Sequence, residues 1–416
     1  VPLVSGPFLD LSIRAFDSIS VGAFAGSLFG VLTLVAVPVV LLGAVSPWAI
    51  RLRVDDLASA GQVSGRLYAI STVGSLVGTF LASLLLIPLA GTQRTFLAFA
   101  VLLAVVAAWG LRPRFALAPL GIAALLALPV GLVKGGGDQG ARVIHEAETE
   151  YQYARVVQKA DGTRELELNE GQAIHSLYRP WTVLTGNYWD AFLVDPLTAL
   201  GRPPRSLAVL GDGAGTMVRA YGRYFPRTRI DAVEIDAALT AIGKRYFGLR
   251  DRPGVRFHAA DARPFLRRAA PGRYDAIFVD AYRQPYIPFY LSTREFFGLV
   301  RSRLAPGGVV VVNVGHPSTS SRLERVLTRT MRTAFGSVLR DPVRPVNTVL
   351  VGSASPLSAA RLARATPHLP GDLQPIARAA AARLRPSLAG GEVYTDDRAP
   401  VEWLIDSSIV SSAAGD

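Results

Sequence analysis

The chain has 416 residues, 50% of them hydrophobic, a formal net charge of +12 and no cysteine. That length predicts two or three folded units, and the missing cysteines exclude disulfides, thiolate metal sites and cysteine nucleophiles. The positive charge suits anionic partners in general, but no Lys/Arg block is dense enough to argue for nucleic acid, and arginines on solvated faces account for it.

The N-terminal third reads as membrane helices. No charged residue interrupts Ser18–Ile50, Leu67–Gln93, Thr95–Leu111 or Phe115–Val133, and a spanning helix needs roughly 20 mainly apolar residues. The pattern predicts four spans, at 18–45, 67–90, 95–111 and 115–133, more than a cleaved signal peptide explains. The chain opens on Val1 rather than Met, which leaves room for preceding sequence. Gly26–Gly30 and Gly74–Gly78 have the small-residue spacing that lets helices approach closely. Loops one and three carry Arg51, Arg53, Arg66, Arg112 and Arg114, against Arg14, Arg94 and Lys134 on the other side. Lysine and arginine concentrate on the cytoplasmic side, so with four spans this count favours an external C-terminal domain. A domain that uses a cytosolic nucleoside requires the opposite, and the cytoplasmic placement is the one adopted.

KGGGDQG at 134–140 reads as a linker. Tyr151–Lys159 and Glu165–Asn169 alternate around Asp161-Gly162, a hairpin signal. From Arg205 onward strands and helices take turns: SLAVL, a helix at Thr216–Tyr224, RIDAVEID, a helix at Ala237–Phe247, VRFHAA, YDAIFVD, a helix ending near Leu304, an APGG turn, and VVVVNV. Ser292-Thr293-Arg294-Glu295 resembles a capping box at the start of that last helix. Alternation of this kind predicts a doubly wound parallel sheet. The expected fold is therefore a multi-domain membrane protein: transmembrane helices over 1–134, a linker and small antiparallel β unit over 135–200, an α/β Rossmann-like domain of the S-adenosylmethionine-dependent transferase type over 201–356, and a C-terminal helical extension over 357–416.

Ligands of such sheets sit beyond the carboxyl ends of the strands. Gly211, Gly213 and Gly215 fall where the first strand gives way to a helix, whose N-terminus offers free N–H groups and partial positive charge. Glu234 ends the next strand, about 20 residues on, where an acid can accept both ribose hydroxyls. Asp261 follows the third strand, where an adenine amino group would lie. The glycine pattern is G-x-G-x-G rather than G-x-G-x-x-G, which favours an S-adenosyl compound over a dinucleotide. Asp280 ends the fourth strand, placed to take a proton from an attacking amine. Tyr282, Tyr286 and Tyr290 follow in AYRQPYIPFY, either roofing an acceptor pocket or packing a loop. His316 either approaches the site from the end of strand five or is simply solvated, and Asp396 and Asp397 either cap a turn or face the active cleft. No His/Asp/Glu spacing suggests a metal, and nothing resembles a Ser-His-Asp nucleophile elbow.

The motif order from about Tyr151 to Val314 (YQYARVV, LELNEGQ, GDGAGT, VEID, AADARPFL, YDAIFVDAY, STREFF, LAPGGVVVVN) resembles the spermidine synthase family of polyamine aminopropyltransferases. The stretch SPWAIRLRVDDLASAGQVSGRLYAISTVGSLVGTF and the ending TDDRAPVEWL resemble its bacterial membrane-fused branch. The resemblance implies an inner-membrane, multi-pass transferase that moves an aminopropyl group from decarboxylated S-adenosylmethionine to an amine, with no metal and with subunits that pair. It implies Glu234 on the ribose, Asp261 on the adenine, Asp280 as base, and Gln152 and Gln172 near the donor and acceptor. Two positions depart. Where the family loop carries an Asp for the donor amine, this chain has Ala214, with Asp212 two residues earlier. Where a second Asp grips the distal ammonium of putrescine, it has Arg283, which repels a diamine and suits a neutral or anionic acceptor. Ala214 keeps ordinary S-adenosylmethionine and methyl transfer open. A non-catalytic nucleoside-binding membrane module and a transport role are the remaining readings.

Overall fold

The computed structural model describes residues 22–54, 56, 58–110, 124, 141–169, 173–282 and 286–414. These divide into two compact units, residues 1–137 with 146–151 and residues 138–145 with 152–416.

The first unit is helical. Helix α1 runs Gly22–Arg53 with Pro38 and Pro47 inside it, and α2 runs Ala60–Leu81. The chain continues from α2 through a π turn at Ala82–Leu86 into Ile87–Ala90. Pro88, which has no N–H to give, lies beside this irregular turn. Gly91 then breaks the helix with φ +85°, and α3 follows at Thr92–Gly110. Val35–Arg53, Ala60–Leu86 and Thr92–Trp109 are long and apolar enough to cross a membrane; of the fourth expected span, 115–133, all but residue 124 lies outside the described residues. A Cβ added at Gly74 or Gly78 would meet nothing within 4 Å. No described helix makes the close approach that their spacing allows.

The second unit carries two sheets. The smaller has strands β1 Arg142–Glu148, which the second unit holds as far as His145, β2 Tyr153–Gln158, β3 Arg164–Leu168 and β4 Ile174–Tyr178 in sequence order. β2 and β3 form the hairpin around Asp161-Gly162, with Ala154 opposite Leu168 and Gln158 opposite Arg164. Asp161 accepts from the Thr163 N–H inside the turn, a local bond typical of an Asx turn.

The larger sheet comprises β5 Ser206–Leu210, β6 Arg229–Glu234, β7 Val255–Ala259, β8 Tyr274–Val279, β9 Leu304–Gly315, β10 Ser337–Arg344, β11 Asn347–Ser353 and the two-residue β12 Arg385–Pro386. Its spatial order is β7-β6-β5-β8-β9-β11-β10-β12. β5 to β9 are parallel, and β10 and β11 run antiparallel at the far side. The order reverses between β5 and β8, the topological switch point where such folds open a ligand crevice. The Rossmann-like fold expected from the alternation is thus present, extended by an antiparallel hairpin.

Alternate side chains of each strand enter opposite cores. Leu207, Val209, Val309, Val311, Val349 and Val351 face one, and Ala208, Leu210, Val310, Val312, Val314 and Leu350 face the other. Burial on both faces explains the near-continuous apolar runs of β5 and β9. α4 Thr216–Tyr224 packs on the first face, and α6 Ala262–Arg268, α7 Arg294–Arg303 and α8 Arg322–Met331 on the second; α5 Ala237–Tyr246 adjoins the small sheet. The residues after 356 enter both cores. Leu362, Leu373, Ala377 and Ala380 of α9 Ala359–Ala365 and α10 Leu373–Arg383 join the first, and Tyr394 together with Val401 and Ile405 of α11 Val401–Ala414 joins the second.

Two local details differ from the sequence reading. The cap of α7 is Thr293, whose side chain accepts from Phe296 N–H, while Glu295 bonds Arg294 and the Asp396 N–H instead of closing a capping box. The APGG segment is not a separate turn. Leu304 already pairs with Tyr274, and an irregularity before Ala276↔Val309 absorbs the glycines within β9.

Candidate active site

The strand ends that carry the candidate residues are level with one another. Leu210 of β5 is in register with Val233 of β6 and Val279 of β8, and Glu234 with Ala259 of β7. Backbone bonds continue that alignment: Gly211 N–H donates to Val233 O (2.9 Å), Asp280 N–H to Leu210 O (2.9 Å) and Ala260 N–H to Glu234 O (3.1 Å). Gly211, Glu234, Asp261 and Asp280 therefore sit along one edge of the sheet, at its switch point.

The glycine loop is required by close contact as well as by torsion. Gly211 has φ +86°, and a Cβ there would lie 2.5 Å from the Asp280 carbonyl oxygen and 2.7 Å from the Ala281 backbone. Only glycine lets the end of β5 lie against the end of β8. Gly213 sits close to β4, with Ser176 Oγ 2.8 Å from where its Cβ would be; that hydroxyl accepts from Ala214 N–H.

Glu234 shapes the loop. Its Oε2 accepts from Gly213 N–H (2.9 Å) and its Oε1 from Asp236 N–H (3.1 Å). Burial raises its pKa, and these backbone donors pull it back. Each oxygen keeps a further acceptor site for a ligand hydroxyl. Asp236 caps α5 and receives Gln152 Nε2 at 3.3 Å, which brings Gln152, just before β2, to the end of β6. Asp212 is buried, and neither of its carboxylate oxygens has a hydrogen-bond partner among the described residues. Burial, reinforced by the Glu234 charge, holds its pKa well above the usual carboxylate range. Asp261 caps α6 through Arg263 N–H, and its Oδ2 accepts from Tyr290 OH (2.8 Å).

Asp280 is held by three neutral donors. Asn313 Nδ2 donates to Oδ1 at 2.8 Å; Trp189 Nε1 and Tyr188 OH donate to Oδ2 at 3.0 and 3.2 Å. Burial pushes its pKa up to about 7 against the pull of these donors, and the Glu234 charge pushes the same way. Burial and the nearby Asp280 charge keep the Tyr188 hydroxyl protonated. Tyr188 and Trp189 are presented by a tight turn that Asp190 folds, accepting from the N–H groups of Thr185 (2.8 Å) and Gly186 (2.7 Å). Sequence reasoning missed Tyr188, Trp189 and Asn313. The available signals were an aromatic pair followed by a turn-forming acid, and an asparagine inside an otherwise apolar strand.

The other candidates are tied into the protein. Tyr282 OH donates to Asn313 O (2.9 Å) and accepts from Gly315 N–H (2.8 Å), and Tyr286 OH donates to Asp406. His316 meets Thr348 Oγ1 and Pro317 O rather than Asp280. Asp396 pairs with Arg263 and accepts from Thr293, joining the C-terminal segment to α6 and α7. Gln172 and Arg283 lie outside the described residues.

Residues 196–355 match the family model described as the spermine/spermidine synthase domain. A probable polyamine aminopropyl transferase of Bifidobacterium longum is 36% identical over 195 residues, 46% of this chain and 42% of that protein. A polyamine aminopropyltransferase of Vibrio vulnificus is 34% identical over 135 residues, 32% of this chain and 44% of that protein. The matches thus span under half the length of these relatives. The crystal structure of a probable spermidine synthase from Corynebacterium glutamicum aligns over 62% of this chain and all of its own, at 22% identity and a TM-score of 0.48.

Proposed function

We propose that this chain, whose residues 196–355 match the spermine/spermidine synthase domain, is a membrane-anchored transferase that moves an aminopropyl group from decarboxylated S-adenosylmethionine to an amine other than putrescine. The observation that carries this reading is the single edge shared by the Gly211 loop, Glu234, Asp261 and Asp280, with Asp280 buried among neutral donors.

In this reading Glu234 takes the ribose hydroxyls and Asp261 the adenine amino group, with Gln152 beside the donor. The Gly211–Gly215 loop gives the backbone room to approach it. The acceptor nitrogen attacks the carbon bound to sulfur. As the new C–N bond forms, the C–S bond breaks, its electron pair returns to sulfur, and methylthioadenosine leaves. Asp280 takes the proton lost by the acceptor nitrogen. A pKa near the working pH suits a general base, and burial provides it here.

The charges favour the decarboxylated donor. Asp212, Glu234 and Asp280 lie at this end of the sheet, and no arginine or lysine bonds to any of them among the described residues. Burial raises the pKa of all three; a cationic donor tail favours their ionised forms, whereas the carboxylate of ordinary S-adenosylmethionine opposes them. Asp212 is the loop acid available to a cationic donor tail in place of the residue that Ala214 replaces. For the acceptor, Tyr188, Trp189 and Asn313 are neutral and Arg283 is cationic, so nothing named here grips a second ammonium. By the family resemblance Gln172 serves the acceptor, and Tyr282, which follows Asp280 closely in sequence, is assigned to it as well. The three long apolar helices anchor the protein in the bilayer, with the transferase part on the cytoplasmic side, where the donor is found.

Calorimetry of the full chain in detergent tests the donor. Tighter binding of decarboxylated S-adenosylmethionine than of S-adenosylmethionine is expected. The reverse order favours methyl transfer, and binding of neither removes the enzyme reading.

A further inference from the structure

The orientation of one amide decides whether Asp280 meets a donor or an acceptor. Asn313, buried on β9, has an NH₂ at one end of its side chain and a carbonyl oxygen at the other. Its Nδ2 donates to Asp280 Oδ1 at 2.8 Å, and its Oδ1 accepts from Asn347 Nδ2 at 3.0 Å. We propose that Asn347 is a positioning residue for Asp280, which fixes the Asn313 amide with its NH₂ toward the carboxylate and so favours the ionised, proton-accepting form. The inference rests on the reading of Asp280 as the base.

The placement of Asn347 is firm. It opens β11, in register with Gly315 of β9. The hairpin before it is held on two sides, by Arg344 donating to Gly186 O in the loop that leads to Tyr188, and by His316 N–H donating to Val346 O. An ionised carboxylate only accepts, so it demands the NH₂ end of Asn313; Asn347 donates to the other end, which matches the same direction. With the amide reversed, its carbonyl oxygen would face Asp280, and that arrangement is stable only if Asp280 carries a proton.

The remaining groups around Asp280 do not substitute for this control. Tyr188 and Trp189 donate from the preceding turn whatever the amide does. Glu234 on β6 opposes ionisation by its charge. Tyr282, on the loop after Asp280, uses its hydroxyl on the β9 backbone.

The test uses the full chain in detergent with ¹⁵N-labelled asparagine. The Asn313 side-chain NH₂ signals, identified by their loss in Asn313→Ala, are followed against pH to report the protonation of Asp280. Asn347→Leu removes the orienting donor without adding charge. Asn347→Asp supplies an acceptor where a donor stood and reverses the amide. A titration midpoint raised by about one unit in Asn347→Leu, the order of a lost hydrogen bond to a charged group, and further in Asn347→Asp, is expected. Donor affinity should be retained in both, because Glu234 and the glycine loop are untouched. The result that overturns the proposal is an unmoved midpoint in the folded Asn347→Leu protein. A shift in Asn347→Asp alone also overturns it, since charge alone produces that. If the midpoints move as expected but no donor supports turnover, the positioning role stands and the proposed reaction fails.

Discussion

Asp280→Asn lowers turnover by about 10²–10⁴-fold, the usual contribution of a positioned general base, while donor binding is retained. The substitution is nearly isosteric, so Tyr188 and Trp189 keep an oxygen to donate to, while the new NH₂ faces the Asn313 amide and the capacity to take a proton disappears. The pH profile of the unsubstituted protein carries the same information. Turnover rises through a limb centred at about 7, because burial holds the Asp280 proton to that pH; in Asp280→Asn that limb is absent. The linked effect on stability has the opposite sense. The native state binds this proton more tightly than the unfolded chain, in which an aspartate titrates near 3.9. The contribution of Asp280 to stability is therefore complete below about pH 4 and is lost as pH rises through about 7. Activity and stability move against each other across that window, as expected of a carboxylate buried for its chemistry rather than for the fold.

Glu234→Gln has the second large effect, on donor affinity. Glu234 accepts from two backbone N–H groups, one on each oxygen. Glutamine can satisfy only one of them, and turns its NH₂ toward the other. Loss of a hydrogen bond to a charged group amounts to about 1.5–3 kcal/mol, or roughly 10- to 100-fold in donor dissociation constant. The weakening appears in calorimetry with decarboxylated S-adenosylmethionine, and a lowered melting temperature accompanies it because the loop loses an anchor. Unchanged donor affinity would remove Glu234 from the ribose site.

Much of this site was legible because it is local. A parallel strand delivers its last residue to the crevice by its own length, so a glycine loop after SLAVL and acids after RIDAV, VRFHAA and YDAIFV could be read directly. Their common alignment is a sheet property, but a regular one. What escaped depends on pairing between distant segments. Tyr188 and Trp189 sit in a stretch with neither strand nor helix period, folded by Asp190 and read only through its contact with Asp280 some ninety positions later. Asn313 was visible as a polar residue in VVVVNV, yet its meaning needs β8 and β11 on either side. Asn347 lies in a hairpin whose antiparallel pairing to β9 no local pattern announces. The same reason hid the two-sided packing of residues after 356. Alanine-rich helices there look like an appendage until the strands they cover are placed.

The choice of donor rests on the acids at the carboxyl end of the sheet, and the choice of acceptor on the arginine that the sequence carries three residues after Asp280. Both converge on one product. The most direct measurement is mass spectrometry of the full chain incubated with decarboxylated S-adenosylmethionine, or with S-adenosylmethionine, and a panel of monoamines and diamines. The account predicts release of methylthioadenosine from the decarboxylated donor, together with a monoamine heavier by one aminopropyl group and little reaction with putrescine. Formation of S-adenosylhomocysteine and a methylated acceptor, with no methylthioadenosine from either donor, would contradict it.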